Sequence, residues 1–187
     1  MKSKPSSSQK HTIAVFGSSR VEVDSREYKQ AYELGFLLAK TGFTIINGGG
    51  PGSMEATALG AREGGGIVIG AIVRGEDWSR PNSYNATLIE CEDVFLRIRE
   101  IFERSMVFVV LKGGTGTFAE FAIVWNLLSL EPSHERLLIL LGNGWQEIMA
   151  IIRKHMIITK DEEAVLRIAS DPTAVLRTIN RTVSLNE

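Results

Sequence analysis

The sequence predicts an α/β protein: a Rossmann-like, doubly wound, mostly parallel sheet with helices on both faces. Three observations carry this. Apolar runs of strand length alternate with segments of helical period along the whole chain. The run Val107 to Leu111 is continuously apolar and rich in valine, as a strand buried on both faces must be. Two of the strand-to-helix junctions are rich in glycine, as expected where loops at one sheet edge approach a ligand closely.

Taken in order, Thr12 to Phe16 reads as the first strand, ending in Gly17-Ser18-Ser19-Arg20, and Tyr28 to Leu38 shows helical spacing before Gly42. Ligands of open α/β sheets sit outside the carboxyl ends of strands, so Gly17, Ser18 and Ser19 stand where a phosphate or ribose could bind. A serine-rich turn explains the same residues equally well. Phe43 to Asn47 is the second strand. It leads through Gly48-Gly49-Gly50-Pro51-Gly52 into a helix reaching Arg62, which Gly64 to Gly66 end. Tight helix-on-strand packing is the plain alternative for this second glycine turn.

Ile67 to Val73 is the third strand, and Arg74 to Asn85 an irregular loop over the carboxyl edge that includes Glu76. Thr87 to Cys91 reads as a short strand. Asp93 then caps a helix whose apolar side is Val94, Phe95, Ile98, Ile101, Phe102 and Ser105. Arg97 and Arg104 share another face, where an arginine beside a phosphate loop would add a bidentate cation.

The organising stretch is Met106 to Leu128. Its strand passes through Lys112-Gly113-Gly114-Thr115-Gly116 into a helix with Phe118, Phe121, Ala122, Val124, Trp125 and Leu128 at helical spacing. Bare amides at the start of that helix carry partial positive charge, so the loop suits an anion, most simply a phosphate. Glu120 sits beside it and has two readings at this stage. It is either a reactive carboxylate, or the N3 residue of a capping box with Thr117 as N-cap. Leu137 to Leu141 (strand), Gly144 to Lys154 (helix), Val165 to Ala169 (strand) and a helix from Asp171-Pro172 to Asn180 complete the pattern.

The 187 residues suit one domain over 11–187, preceded by a polar tail, 1–10, expected to be disordered and unlike a signal peptide. A net charge of −1 and a pI near 6.3 give no electrostatic case for nucleic acid or an anionic membrane. No apolar stretch is long enough to span a bilayer. The lone Cys91 excludes an internal disulfide and a cysteine metal cluster, suits a reducing cytoplasm, and reads as a small core hydrophobe.

Two motifs, GGGPGSMEA at 48–56 and KGGTGTFAE at 112–120, together resemble the signatures of the LONELY GUY family of nucleotide phosphoribohydrolases, often labelled lysine decarboxylase-like. Arg97, fifteen positions before Lys112, matches the family's arginine, and Glu76 with Pro81 match a loop glutamate and following proline. The resemblance covers about Thr12 to Asn180. It implies that Gly113, Gly114, Thr115, Gly116 and Thr117 bind a 5′-phosphate, with Gly17, Ser18, Gly49, Gly50 and Met54 completing the substrate site. Arg97 and Glu120 would form the catalytic centre, and Glu76 and Asn126 would lie near the nucleoside.

The implied reaction is hydrolysis of the N-glycosidic bond of a nucleoside 5′-monophosphate, AMP or a cytokinin ribotide, to free base and ribose 5-phosphate. It needs no metal and no cofactor, and the family implies a cytoplasmic homodimer. Two departures stand out: Lys112 replaces the family's proline, and Ile98 replaces a lysine. They keep open an alternative on the same fold, a non-catalytic nucleotide or molybdenum-cofactor carrier. A pyridoxal-phosphate decarboxylase is disfavoured, because no lysine has a setting suited to a Schiff base.

Overall fold

Among the described residues, seven strands run the same way in the order β4-β3-β2-β1-β5-β6-β7. The computed structural model describes residues 11–76, 80–131 and 136–183. The strands are β1 (Thr12–Phe16), β2 (Thr44–Asn47), β3 (Val68–Val73), β4 (Thr87–Cys91), β5 (Val107–Val110), β6 (Leu137–Leu141) and β7 (Leu166–Ala169). The helices are α1 (Arg26–Lys40), α2 (Ser53–Glu63), α3 (Val94–Arg104), α4 (Thr115–Ser129), α5 (Gly144–His155), α6 (Lys160–Ala164) and α7 (Pro172–Val183). The expected architecture holds, with the sheet parallel throughout rather than mostly so.

The layering follows from side-chain alternation along the central strands. Ile13 and Val15 of β1 face α1, α2 and α7, whereas Ala14 and Phe16 face α3, α4 and α5. With both faces covered, β1, β5 and β6 are buried along their whole length, which explains their uninterrupted apolar sequence. The side of α4 that meets the sheet is aromatic. Phe121 stacks on Trp125 and meets Trp145 of α5, each at a centroid distance of 5.2 Å.

Helix starts follow local chemistry. The Ser25 hydroxyl accepts from Tyr28 N, and the Asp93 carboxylate accepts from Phe95 N and Leu96 N at 2.7 and 2.8 Å. Asp171 caps α7 through Ala174 N. The short α6 was not expected from periodicity, because Lys160, Asp161, Glu162 and Glu163 are charged and only Ala164 is apolar. Its mark was a capping box, Thr159 with Glu162, and both hydrogen bonds form. The capping box, one of the two readings at Thr117 and Glu120, does not form. Here α4 begins two residues earlier, at Thr115 with Gly114 as N-cap and no side-chain cap.

Two expectations of burial are corrected. Phe95, placed on the apolar side of α3, is 73% exposed, and Phe118 of α4 is 47% exposed. Only Ile98 and Ile101 are buried hydrophobics on α3. Cys91 is buried, as expected. No helix among the described residues is long and apolar enough to cross a membrane.

Helices α1 and α2 cross with their backbones in contact. A Cβ on Gly35 would strike the Thr57 carbonyl, and one on Gly60 would strike the Tyr32 carbonyl. Backbone, unlike a side-chain tip, cannot swing aside. Gly60→Ala should therefore destabilise the protein by about 1–3 kcal/mol through overpacking, against the ~1 kcal/mol that alanine gains in helix propensity. Urea unfolding measures the balance, and an unchanged or raised midpoint would show that the crossing relaxes freely.

Candidate functional site

The chain reverses its order across the sheet between β1 and β5. It runs outward from β1 to β4, then returns through α3 to place β5 on the other side of β1. Their parallel register, Phe16 opposite Val110, brings the loops after both strands to one rim, and Leu111 N donates to Phe16 O at 2.9 Å. This is the position where open α/β sheets bind ligands.

Three loops build a cleft there of about 210 Å³. The first, Gly17 to Arg20, is folded against the second. Ser53 N donates to Ser18 O at 2.9 Å, and a Cβ on Gly17 would lie 2.7 Å from that of Ser53. The Ser18 hydroxyl turns back to accept from Arg20 N at 3.0 Å.

The second loop is shaped by Asn47, fully buried at the end of β2. Its side chain accepts from Gly49 N at 2.8 Å and donates to Met54 O at 3.1 Å. Gly49 has φ +72, which favours glycine, and its carbonyl accepts from Asn82 N, Asn82 Nδ2 and Asn85 Nδ2 at 2.8 to 2.9 Å. Thus the segment before β4 is pinned onto the glycine turn.

The third loop enters α4. The first intrahelical bond there is Phe118 N to Gly114 O, so the amides of Thr115, Gly116 and Thr117 precede the helical ladder and carry its positive end. Thr117 is buried and folds over Gly113, where any Cβ would collide with the threonine side chain.

Arg97 of α3 and Glu120 of α4 meet at the floor, Nη2 to Oε1 at 2.8 Å, with their side chains 12% and 10% exposed. The guanidinium passes over Gly48, where a Cβ would stand 3.4 Å from Nη1. Burial pushes the Glu120 carboxyl up to about 7, although the charge and hydrogen bond of Arg97 pull the other way. The carboxyl is thus poised to hold or release a proton near neutrality, beside a loop suited to an anion. Of the two readings of Glu120, the helix cap is the one the structure discards.

Most of the residues singled out from sequence meet in this cleft: Gly17, Ser18, Gly50, Met54, Arg97, Gly114, Thr115, Gly116, Thr117 and Glu120 line it. Gly49 and Gly113 do not; they shape the loops from behind. Glu76 and Asn126 are exposed and lie outside the lining. Arg20 and Gly48 were missed as site residues. Arg20 could have been found, since it ends the same GSSR stretch as Ser18 and brings a cation to the rim.

The departures noted in the sequence are also accounted for. Lys112 is 77% exposed, points away from the cleft and pairs with Glu27 at 2.7 Å. Ile98 is buried, so its position faces the protein interior.

Fold and site together define a Rossmann-like protein with a glycine-lined cleft at the topological switch point. The chain belongs to the SLOG cluster4 family, whose model matches residues 10–174. It is 36% identical over 124 residues, 64% of this chain and 80% of the relative, to an uncharacterized protein of Archaeoglobus fulgidus. It is also 35% identical over 98 residues to the cytokinin riboside 5′-monophosphate phosphoribohydrolase of Mycobacterium tuberculosis. That match covers 51% of this chain and about half of the relative, 52%.

Among solved structures, the molybdenum cofactor binding protein of Rippkaea orientalis superposes with a TM-score of 0.74 at 22% identity, covering 92% of this chain and 96% of that one. DNA processing protein A of Streptococcus pneumoniae gives 0.61 at 14% identity, covering 89% and 60%. At these identities the likeness is one of fold.

The raised Glu120 carboxyl makes stability depend on pH with a definite sign. Between 4.5, its ordinary value, and about 7, the folded state holds a proton that the unfolded chain has lost. Stability therefore falls as pH rises through this window, by on the order of 3 kcal/mol. Glu120→Gln removes the dependence. The stability of wild type relative to this variant should drop between pH 4.5 and 7.5 in chemical unfolding, and parallel curves would refute the shift.

Proposed function

We propose that the cleft hydrolyses the N-glycosidic bond of a nucleoside 5′-monophosphate, releasing the free base and ribose 5-phosphate. The single observation that carries this is the buried Arg97–Glu120 pair set beside the unladdered amides of α4. The 35% identity to a phosphoribohydrolase and the two matching glycine motifs support it.

In this reading the phosphate sits on the amides of Thr115, Gly116 and Thr117, with Arg20 at the rim. That remote binding energy holds the ribose over Gly48, Gly50 and Met54, with its anomeric carbon toward Glu120. As the bond to the base lengthens, the sugar becomes oxocarbenium-like. The Glu120 carboxylate stabilises its positive charge and accepts a proton from the attacking water. The base departs with the bonding electrons and is protonated on release. Arg97 holds the carboxylate in position and favours its ionised form, against the pull of burial.

A cleft of 210 Å³ is below the ~300–1,000 Å³ usual for small-molecule sites, so the base extends beyond it. A second protomer supplies the missing wall: exposed Phe95 and Leu130, at 73% and 68%, are apolar surface for such a homodimer. Light scattering tests this, and a monomer would refute it. The alternative, a carrier that binds without hydrolysis, is favoured by the absence of a second cation at Ile98.

Incubation with AMP and with cytokinin ribotides, followed by chromatography of the released base, separates enzyme from carrier. Glu120→Gln should retain nucleotide binding while losing at least ~100-fold in turnover. Because the carboxylate is the active form, kcat/KM should rise through pH about 7 and level off above it. Full activity in the variant, or a flat profile from pH 5 to 8, would overturn the assignment.

A further inference from the structure

A second cavity, of about 400 Å³, lies on the other side of the entrance to α4. It shares Gly114 and Thr117 with the candidate cleft, so the first turn of α4 is a wall common to both. Phe118, Trp145 and Ile148 form its apolar side, with Phe118 half exposed and Ile148 39% exposed. Arg26 and Lys112 stand at its mouth against a single carboxylate, Glu27, leaving the rim net positive.

Two of the glycines lining the second cavity, Gly114 and Gly144, are not required by the fold. Gly114 has φ −98, accessible to any residue, and a Cβ there would meet nothing within 4 Å. Gly144, at the start of α5 and lining the second cavity, is likewise outside the left-handed region and without neighbours. Glycine at such positions loses chain entropy without any return in packing or turn geometry. What it leaves is bare backbone facing open space, at Gly114 on the shared wall and at Gly144 in the second cavity.

From this we infer that the site takes nucleotides whose 5′-phosphate carries a further group: nucleoside diphosphates substituted on the distal phosphate by a sugar or aromatic moiety. The inference rests on the reading that the first phosphate binds the amides of α4. The second phosphate meets Arg26 and Lys112, and its substituent packs on Phe118 and Ile148. A monophosphate leaves the second cavity empty.

Titration calorimetry of the full chain with AMP and with ADP-ribose tests this, in wild type, Ile148→Glu and Phe118→Ala, with released base measured by chromatography in the same samples. ADP-ribose is expected to bind about tenfold more tightly than AMP. Both variants should abolish that preference and leave AMP affinity unchanged. Equal affinities in wild type, a loss shared equally by both ligands in the variants, or binding of neither ligand would overturn the inference. The hydrolase reading fails separately: a preference that responds to the variants without any released base keeps the second cavity and rejects the reaction.

Discussion

The pairing of β1 with β5 is the constraint on which the rest depends. A parallel sheet built outward from β1 has one place where two neighbouring strands send their following loops in opposite directions, and register puts Phe16 beside Val110 at that place. The helix that returns the chain across the sheet, α3, is the one that carries Arg97, and the helix that leaves β5 carries Glu120. A slip of one residue between β1 and β5 would turn their side chains to the wrong layers and separate the loops.

The site also concentrates cost. Removing a carboxylate from water is unfavourable, and one guanidinium does not fully offset it, as the direction of the Glu120 shift shows. The surrounding loops reveal how such a pair is held without flexible support. Asn47 fixes the turn from below, Asn82 and Asn85 fix it from the side, and Thr117 locks the entrance of α4 over Gly113. Rigid neighbours leave the pair little room to rearrange, which suits an electrostatic role.

Much of this was readable in the residues. Continuous apolar runs identified the buried strands, and the spacing of Arg97, the glycine turns and Glu120 brought most of the cleft together before any coordinates. What the sequence could not resolve was which backbone bonds form. Thr117 and Glu120 satisfy the pattern of a cap, but the helix starts at Thr115, so the same letters do different work. Phe95 and Phe118 satisfy helical periodicity yet face outward, because periodicity reports a stripe and not what lies opposite it. Gly48 acquires meaning only once three loops from distant parts of the chain converge.

The Gly49 carbonyl joins the glycine turn behind the cleft to the segment leading into β4, the strand at one margin of the sheet. Margins of sheets are where native-state opening costs least. Fraying of β4 would therefore loosen the glycine turn directly, while among the described residues no hydrogen bond ties the opposite margin, β7, to it. The molecule is thus mechanically asymmetric: softness at one border reaches the ligand-facing backbone, and softness at the other stays local.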